Sequence, residues 1–279
     1  MGTRPSILIR TKNEGRHLEE TLRAIFGQAR PPADIVVIDS GSTDDTVAIA
    51  ERHPVTLLHI TPEEWNYSRA LNRAAAAATG DVLVSLSAHC APIDDQWLDN
   101  LLVHFEDPTV AGVWGPGYTP GKVPPEPGAP ERQLPGNYTA DNYLWGLSNA
   151  NAAVRRSLWE EVPFDESLPA AEDKAWGMAM LDRGFAIVYD PRAAVWHQPH
   201  TFANSYRRNR AVYEGLRRLF PELQRPQPVR LIGAAAVRNV RTRARDRDGR
   251  GVRRDLARLP SIVAALVGGY VAVLRRQRR

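Results

Sequence analysis

The chain of 279 residues contains a single cysteine, Cys90, and it has no long uncharged apolar run. One cysteine excludes an intramolecular disulfide and is typical of proteins kept in a reducing compartment. The longest apolar candidate, residues 261–274, is shorter than the ~18 residues that a membrane-spanning helix needs. The first residues run straight into a strand-like stretch, without an apolar signal segment. These absences predict a cytoplasmic protein. The length of 279 residues predicts one large domain, or one domain and a sizeable extension.

Basic residues are sparse in the first three quarters of the chain and dense in the last quarter. Up to Tyr206 there are 16 Lys and Arg against 27 Asp and Glu, whereas from Arg207 onward there are 20 Arg against 5 acids. The net charge of +4 therefore combines an acidic body with a strongly basic tail. A tail of this kind indicates an anionic partner.

Short apolar runs of strand length alternate with helical patterns in the first third of the chain. The four runs of strand length are residues 6–10, 34–38, 55–60 and 81–86. The helix after the first run is expected to have Asn13 as its cap, the next to open at Thr43, and the alanine-rich residues 67–79 to form a third. This alternation with short connections predicts an α/β fold, with parallel strands covered by helices on both faces.

The second half of the chain is less regular. Residues 115–137 are rich in Gly and Pro and predict a loop. Strand patterns stand at residues 110–114, 149–154, 185–189 and 194–196, and helical patterns at 172–183 and 202–220.

Three polar clusters, at residues 11–14, 39–45 and 87–89, each follow a predicted strand. In parallel sheets, ligands bind beyond the carboxyl ends of the strands, so these clusters should converge on one crevice. Asp39 at the end of its strand can accept hydrogen bonds from a base or a ribose. The simpler interpretation of Thr43, Asp44 and Asp45 is a helix start, with a cap and acids that favour the helix dipole.

Three motifs occur in a fixed order: Thr-Lys-Asn-Glu at 11–14, Ile-Asp-Ser-Gly-Ser-Thr-Asp-Asp-Thr at 38–46, and Ala-Glu-Asp-Lys-Ala-Trp at 171–176. Together they resemble the family 2 glycosyltransferases, and most of all their bacterial rhamnosyltransferase-type members. The resemblance covers residues 6 to about 200. It implies the GT-A fold, which has a Rossmann-like, mostly parallel sheet, and it implies transfer of a sugar from a nucleotide-sugar to a hydroxyl group.

The resemblance also divides the chain. It implies a GT-A domain over residues 1–200, with a nucleotide-binding half at 1–114 and an acceptor-binding half at 115–200. Residues 201–279 are then an arginine-rich helical extension. Leu71 stands where an arginine is often found, so a phosphate or base contact is absent or comes from Arg69 or Arg73. The nucleotide-sugar site implied by the matching positions consists of Thr11, Asn13, Glu14, Asp39, Asn72 and Ser87.

The sequence departs most from the family pattern at the metal motif. Many GT-A enzymes have Asp-x-Asp after the fourth strand, whereas Ser87 and His89 stand at those places here. An imidazole can ligate a metal, and its replacement of a carboxylate shifts the preference from Mg²⁺ toward Mn²⁺. His197 matches a metal-binding histidine and is preferred over His200. The alternative is that His89 only hydrogen-bonds a phosphate or the chain, and Cys90 is expected to be a small buried residue rather than a soft ligand.

Glu172 and Asp173 match the Glu-Asp motif of the family, in which the Asp removes the proton from the attacking hydroxyl. Such a base must lie within ~3 Å of the hydroxyl, and in-line displacement then inverts the anomeric configuration. The alternative is that two acids at a helix start only favour its dipole. We place both in the catalytic set, with Asp173 as the base and Glu172 as its neighbour. Trp145 and Asn149 are weaker candidates for the acceptor site, and core packing explains Trp145 equally well.

The arginine-rich tail has three interpretations. An apolar stripe from Leu256 to Val267 beside Arg253, Arg254 and Arg258 favours an amphipathic helix on an anionic membrane surface. Binding to nucleic acid is disfavoured because no aromatic interleaving and no nucleic-acid motif accompany the arginines. A solvated helix face is the third interpretation. A membrane-surface tail would place the protein peripherally on the inner face of the cell membrane.

The sequence therefore predicts an inverting glycosyltransferase with a UDP- or dTDP-sugar donor and a divalent metal, Mn²⁺ or Mg²⁺. The expected acceptor is a glycan or a lipid-linked glycan of the cell envelope or of an exopolysaccharide. The rival hypothesis is a non-catalytic nucleotide-sugar-binding protein with a degenerate metal site. The residues at 87 and 89 support the rival, and an intact Glu172–Asp173 pair argues against it.

Overall fold

A computed structural model describes residues 3–134, 146–198 and 202–220. The chain divides into two compact units. The first comprises Met1–Leu168 and Glu172–Pro199, and the second comprises Pro169–Ala171 and His200–Arg279. Trp145, His200 and most of the arginine-rich tail lie outside the described residues.

The described residues of the first unit form eleven strands and six α-helices. The strands are β1 (Pro5–Thr11), β2 (Asp34–Asp39), β3 (Thr56–His59), β4 (Val82–Ser87), β5 (Cys90–Pro92), β6 (Val110–Trp114), β7 (Gly117–Tyr118), β8 (Glu131–Gln133), β9 (Asn151–Arg155), β10 (Ala186–Tyr189) and β11 (Val195–His197). The helices are α1 (Gly15–Phe26), α2 (Thr46–Glu51), α3 (Tyr67–Ala77), α4 (Trp97–Leu102), α5 (Arg156–Glu161) and α6 (Glu172–Asp182), and a 3₁₀ helix spans Val103–Glu106.

Eight strands form the central sheet in the order β3-β2-β1-β4-β9-β6-β10-β8. The first four run parallel to one another, and β9 runs antiparallel to both β4 and β6. β10 runs parallel to β6, and the short β8 adds an antiparallel edge. The predicted mostly parallel α/β sheet is confirmed. The antiparallel β9 has a consequence for function, because its start lies at the same edge as the ends of β1, β2 and β4.

Two apolar layers cover the sheet, one on each face. Ile7 and Ile9 of β1 pack in the layer that contains Leu22 of α1, whereas Leu8 between them packs in the layer that contains Leu71 of α3. This alternation is the two-residue period of a strand buried on both faces. Each fully buried Leu or Ile contributes about 1.5–3 kcal/mol relative to exposure. The predicted helices on both faces are therefore confirmed.

The starts of α1 and α2 differ from the sequence-based prediction. Asn13 does not cap α1: it has a left-handed backbone (φ 54°), and its Oδ1 accepts a hydrogen bond of 2.7 Å from Thr43 N. α2 begins at Thr46 rather than at Thr43, and the Thr46 hydroxyl accepts from Glu14 N at 2.8 Å. The two loops thus satisfy each other's backbone donors, an arrangement that local capping rules do not predict.

The region after β4 contains β5 and β7, which the sequence pattern did not indicate, and β11, which confirms the strand predicted at residues 194–196. β5, β11 and β7 form a second sheet of three strands, in which β11 runs antiparallel to β5 and parallel to β7. β5 and β7 have three and two residues, too few to show a two-residue period. The predicted loop at 115–137 also contains β7 and β8 within its described part.

In the second unit, α7 (Phe202–Leu219) confirms the helix predicted at 202–220. Gly215 of this helix lies so close to the strap Pro169–Ala171 that a Cβ atom would come within 2.1 Å of Ala170 O. Among the described residues, no helix combines the length and apolar character needed to cross a membrane.

Candidate active site

The predicted nucleotide residues lie at one edge of the central sheet. Thr11 ends β1 beside Asp39, which ends β2, and Ser87 ends β4. Ser87 N donates a hydrogen bond of 3.1 Å to Ala150 O, just before β9. Asn149 therefore comes to the same edge, because an antiparallel strand starts where its parallel neighbours end.

Asp39 is buried and organises the loop that follows β2. One carboxylate oxygen accepts from Gly41 N and Ser42 N at 2.9 Å each, and the other accepts from the Ser42 hydroxyl at 2.5 Å. Gly41 adopts a left-handed backbone (φ 81°), which is easiest for glycine. Next to this loop the Thr11 hydroxyl is buried and has no hydrogen-bond partner among the described residues. A buried hydroxyl of this kind is costly unless a ligand pairs with it.

Glu14 and His89 join the cluster after β1 to the segment after β4. Glu14 Oε1 lies 3.0 Å from Nδ1 of His89, and both side chains are mostly buried. This contact makes Nδ1–H of His89 the donor toward Glu14, and Nε2 of His89 faces His197.

The other face of His89 meets His197, and Cys90 lies beside both. Nε2 of His89 and Nε2 of His197 are 3.2 Å apart, with the two rings stacked at a centroid separation of 5.1 Å. Cys90 pairs with His197 across β5 and β11. The ligand atoms of the three residues all lie within 4.8 Å of one another. Imidazole nitrogens and a thiol at this spacing fit a divalent transition-metal ion.

Glu172, the first residue of α6, is buried and engaged by two side chains. Its Oε1 accepts from Arg10 at 2.9 Å and from the amide of Asn149 at 3.3 Å. Arg10 also donates to Tyr67 O at 3.0 Å and lies over the Tyr67 ring, 5.1 Å from its centroid. These contacts fix the start of α6 relative to β1.

Asp173 is more exposed than Glu172 and stands next to it at the helix start. Its carboxylate accepts from Asn149 N at 3.1 Å and from Lys174 N at 2.8 Å. Ala171, two residues earlier, has a left-handed backbone (φ 67°). A non-glycine residue in that conformation costs on the order of 1–2 kcal/mol, and such strain is concentrated at functional sites.

Asn72 has a different set of contacts. Its amide nitrogen donates to Phe164 O and Glu166 Oε1, and its oxygen accepts from Trp159 Nε1 and Phe164 N. Two donated and two accepted bonds use the whole capacity of the amide. These contacts give Asn72 a structural role, joining α3 to the segment after α5.

Two residues at the edge escaped the sequence-based prediction. The sequence pattern places Arg10 at the end of an apolar strand and Lys174 on a helix, where a charged residue is expected at the surface. Lys174 is buried, however, and its Nζ donates to Gly146 O and Leu147 O at 2.7 Å each. The sequence signals that could have found them are the charge of Arg10 within an apolar strand and that of Lys174 on a helix face that is buried.

The mostly parallel sheet with helices on both faces is that of the GT-A fold. The model of "Glycosyl transferase family 2" matches residues 6–162, more than half of the chain. The chain belongs to this family. The predicted resemblance is thereby confirmed.

Curated relatives agree with this assignment, and a solved structure has a similar fold. The chain is 30% identical over 208 residues to the O-antigen chain rhamnosyltransferase RfbN of Salmonella typhimurium and 28% identical over 221 residues to WbaN of Salmonella anatum. Each match covers 69% of this chain and 65% of the relative's length. The fold is similar to that of the mannosyltransferase PcManGT from Pyrobaculum calidifontis, solved with GDP-Man and Mn²⁺. That similarity has a TM-score of 0.65 at 22% identity and covers 96% of this chain and 87% of the other.

The family match ends before three of the predicted site residues. Glu172, Asp173 and His197 all lie after residue 162. Their roles rest on the contacts described above and on the motif resemblance.

Proposed function

We propose that this chain is an inverting glycosyltransferase that moves a sugar from a UDP- or dTDP-sugar to a hydroxyl of a glycan or lipid-linked acceptor. The observation that carries the proposal is the pairing of Asn149 with both acids of α6. Asn149 lies at the edge where β1, β2 and β4 end, so its bonds bring Glu172 and Asp173 to the nucleotide residues. A nucleotide-sugar bound at that edge would present its anomeric carbon near Asp173.

Asp173 is the proposed base. Its carboxylate is the more exposed of the two, so an acceptor hydroxyl can reach it, and two backbone N–H groups hold it in place. Glu172 is buried and committed to Arg10 and Asn149, which assigns it to positioning. The proton moves from the acceptor hydroxyl to Asp173 as the oxygen attacks the anomeric carbon and the nucleoside diphosphate leaves from the opposite face.

Thr11, Asn13, Glu14, Asp39 and Ser87 are the proposed donor-binding residues. The Asp39 carboxylate is held in place and can accept a hydrogen bond from a base or ribose, and the buried hydroxyl of Thr11 can form a hydrogen bond with the donor beside it. Asn72 is left out of this set because its hydrogen bonds are all made within the protein.

His89 and His197 are the proposed holders of a divalent ion, either Mn²⁺ or Mg²⁺. Such an ion neutralises the charge that develops on a leaving diphosphate. The solved mannosyltransferase contains Mn²⁺, which supports a divalent metal for this fold.

The relatives favour rhamnose as the sugar and a cell-envelope or exopolysaccharide glycan as the acceptor, since two of them are O-antigen chain rhamnosyltransferases. We assign the GT-A domain to residues 1–200, with the nucleotide half at 1–114 and the acceptor half at 115–200. Residues 201–279 are proposed as a basic extension that holds the enzyme on the inner face of the cell membrane. Failure of the full chain to sediment with anionic vesicles at low salt would overturn that last assignment.

The test is a transfer assay with a panel of UDP- and dTDP-sugars, a lipid-linked glycan acceptor and an added divalent metal. We expect one donor to give a glycoside whose anomeric configuration, read by NMR, is opposite to that of the donor. A retained configuration would contradict direct displacement. Tight donor binding with neither transfer nor hydrolysis would instead support the non-catalytic rival.

A further inference from the structure

Cys90 lies where a third metal ligand would stand. It is opposite His197 in the antiparallel pair of β5 and β11, and directly paired residues of such strands project to the same face. Its Sγ lies within 4.8 Å of the ligand nitrogens of His89 and His197. The side chain is fully buried and belongs to the apolar layer that contains Leu22 of α1, so the sulfur is shielded from solvent.

Glu14 orients the cluster. Metal-bound histidines commonly donate their second ring N–H to a carboxylate, which fixes the tautomer and the ring. Glu14 Oε1 stands in that position, 3.0 Å from Nδ1 of His89. The remaining nitrogen, Nε2, is thereby turned toward His197.

The spacing of the two histidines suits a shared ion. Their Nε2 atoms are 3.2 Å apart. Two nitrogens on one tetrahedral ion, with bonds of ~2.0–2.1 Å, lie about 3.3 Å apart.

We propose that Cys90 is a ligand of the ion held by His89 and His197, and that this ligand set selects Zn²⁺ or Co²⁺ over Mn²⁺ and Mg²⁺. The inference rests on the proposed metal site and replaces Mn²⁺ or Mg²⁺ by Zn²⁺ or Co²⁺ as the ion expected there. A thiolate is a soft ligand and an imidazole an intermediate one, and Mg²⁺ binds poorly to both. With these three ligands from the described residues, a diphosphate oxygen would complete a four-coordinate site, as in zinc sites that take part in catalysis.

The experiment is a Co²⁺ titration of the full-length, metal-free protein, followed by absorption spectroscopy. We expect visible d–d bands of a low-symmetry site together with a near-ultraviolet thiolate-to-cobalt charge-transfer band. Because Cys90 is the only cysteine in the sequence, that band can come from no other residue. Cys90→Ser should abolish the charge-transfer band, keep d–d bands, and lower Zn²⁺ affinity by at least ~10-fold while changing Mn²⁺ affinity less.

Glu14→Gln is the companion variant. It keeps all three ligands, so both kinds of band should remain while metal affinity falls ~10–100-fold. Circular dichroism melting checks that each variant is folded. If Cys90→Ser does not fold, the presence or absence of the charge-transfer band in the wild type decides the question.

The outcomes separate this inference from the proposed function. Visible d–d bands without a charge-transfer band in the wild type would overturn the role of Cys90 and leave the two histidines as ligands. Absence of Co²⁺, Zn²⁺ and Mn²⁺ binding would overturn both the inference and the proposed metal site. Sugar transfer in the presence of EDTA, measured in parallel, reports on the glycosyltransferase proposal independently of either.

Discussion

Arg10 and Glu172 stand 162 residues apart in the chain and form an ion pair of 2.9 Å at the edge of the central sheet. The side chain of Arg10 is only 15% exposed and that of Glu172 only 5%. The pair ties the first residue of α6 to β1, the strand that leads into the nucleotide residues. Glu172 thus fixes the position of its neighbour Asp173. Its own carboxylate is buried and already hydrogen-bonded to Arg10 and Asn149.

Glu172→Gln should destabilise the protein. The change leaves the Arg10 charge without its partner in a mostly buried site, so we expect a loss of about 1–3 kcal/mol in the free energy of unfolding, measured with urea. The kcat should fall as well, because the start of α6 loosens. The control is Glu160→Gln, since Glu160 pairs with Arg156 at the same 2.9 Å but is 54% exposed. That change should cost no more than ~0.5 kcal/mol, and equal losses in the two variants would contradict the positioning role.

Asp173→Asn should abolish proton abstraction and leave the fold intact. We expect kcat for sugar transfer to fall by ~10²–10⁴-fold, the usual contribution of a general base. The donor KM should change little, because Asp173 is not assigned to the nucleotide. Asp182→Asn, the same substitution at the exposed end of the same helix, should leave kcat unchanged. A wild-type kcat in the Asp173 variant would rule out the base assignment.

Asn72→Leu should change stability rather than donor binding. The amide makes four hydrogen bonds within the protein, so its loss should cost on the order of 2–4 kcal/mol, with the donor KM unchanged. Asn100→Leu removes an amide that makes one long bond, to Arg192 O at 3.3 Å, and should cost much less. A raised donor KM at unchanged stability would restore Asn72 to the nucleotide site.

Gly215→Ala and Gly177→Ala should have opposite effects, although both glycines lie inside helices. A Cβ at residue 215 would come within 2.1 Å of Ala170 O, whereas one at residue 177 would make an ordinary contact of 3.5 Å with Leu147. We expect a loss of ~1–3 kcal/mol at 215 from the steric conflict and a gain of ~0.5–1 kcal/mol at 177 from helix propensity.

The Gly215 variant should also lower kcat, because Ala170 belongs to the strap that leads directly into Glu172. Thermal melting and initial rates measure the two effects. A Gly215→Ala protein as stable and active as the wild type would show that the strap accommodates the added methyl group.

Asp190 should stabilise the fold at neutral pH and lose this effect in acid. Burial alone would raise the pKa of its carboxyl, but hydrogen bonds from His104 and Arg192 outweigh it and lower the pKa from 3.8 to about 2. A depressed carboxyl pKa stabilises the folded state above pH 3.8, and this contribution is lost as the pH falls toward about 2. Asp190→Asn should therefore cost about 2 kcal/mol at neutral pH. In urea unfolding, the difference between variant and wild type should shrink below pH 3.8, and a constant difference would contradict the prediction.

The α/β fold could be predicted because its signals are local. Runs such as residues 34–38 are apolar at every position, as expected for a strand buried on both faces, and the polar residues follow directly after them. The strand ends at Thr11, Asp39 and Ser87 were therefore found from the sequence. The exchange of hydrogen bonds between the loops around Asn13 and Thr43 was missed, because two helix starts that satisfy each other cannot be recognised from either segment alone.

By itself, the sequence determined the α/β architecture, the family and the identity of the acids and histidines available for chemistry. It could not determine which of those groups act together. The pairing of Arg10 with Glu172, and of His89 with Glu14, His197 and Cys90, joins segments brought together by the order of the strands and by an antiparallel β9. Hydrogen bonds and metal ligation act over about 2–3 Å, and only the tertiary structure sets distances of that size between residues far apart in the chain.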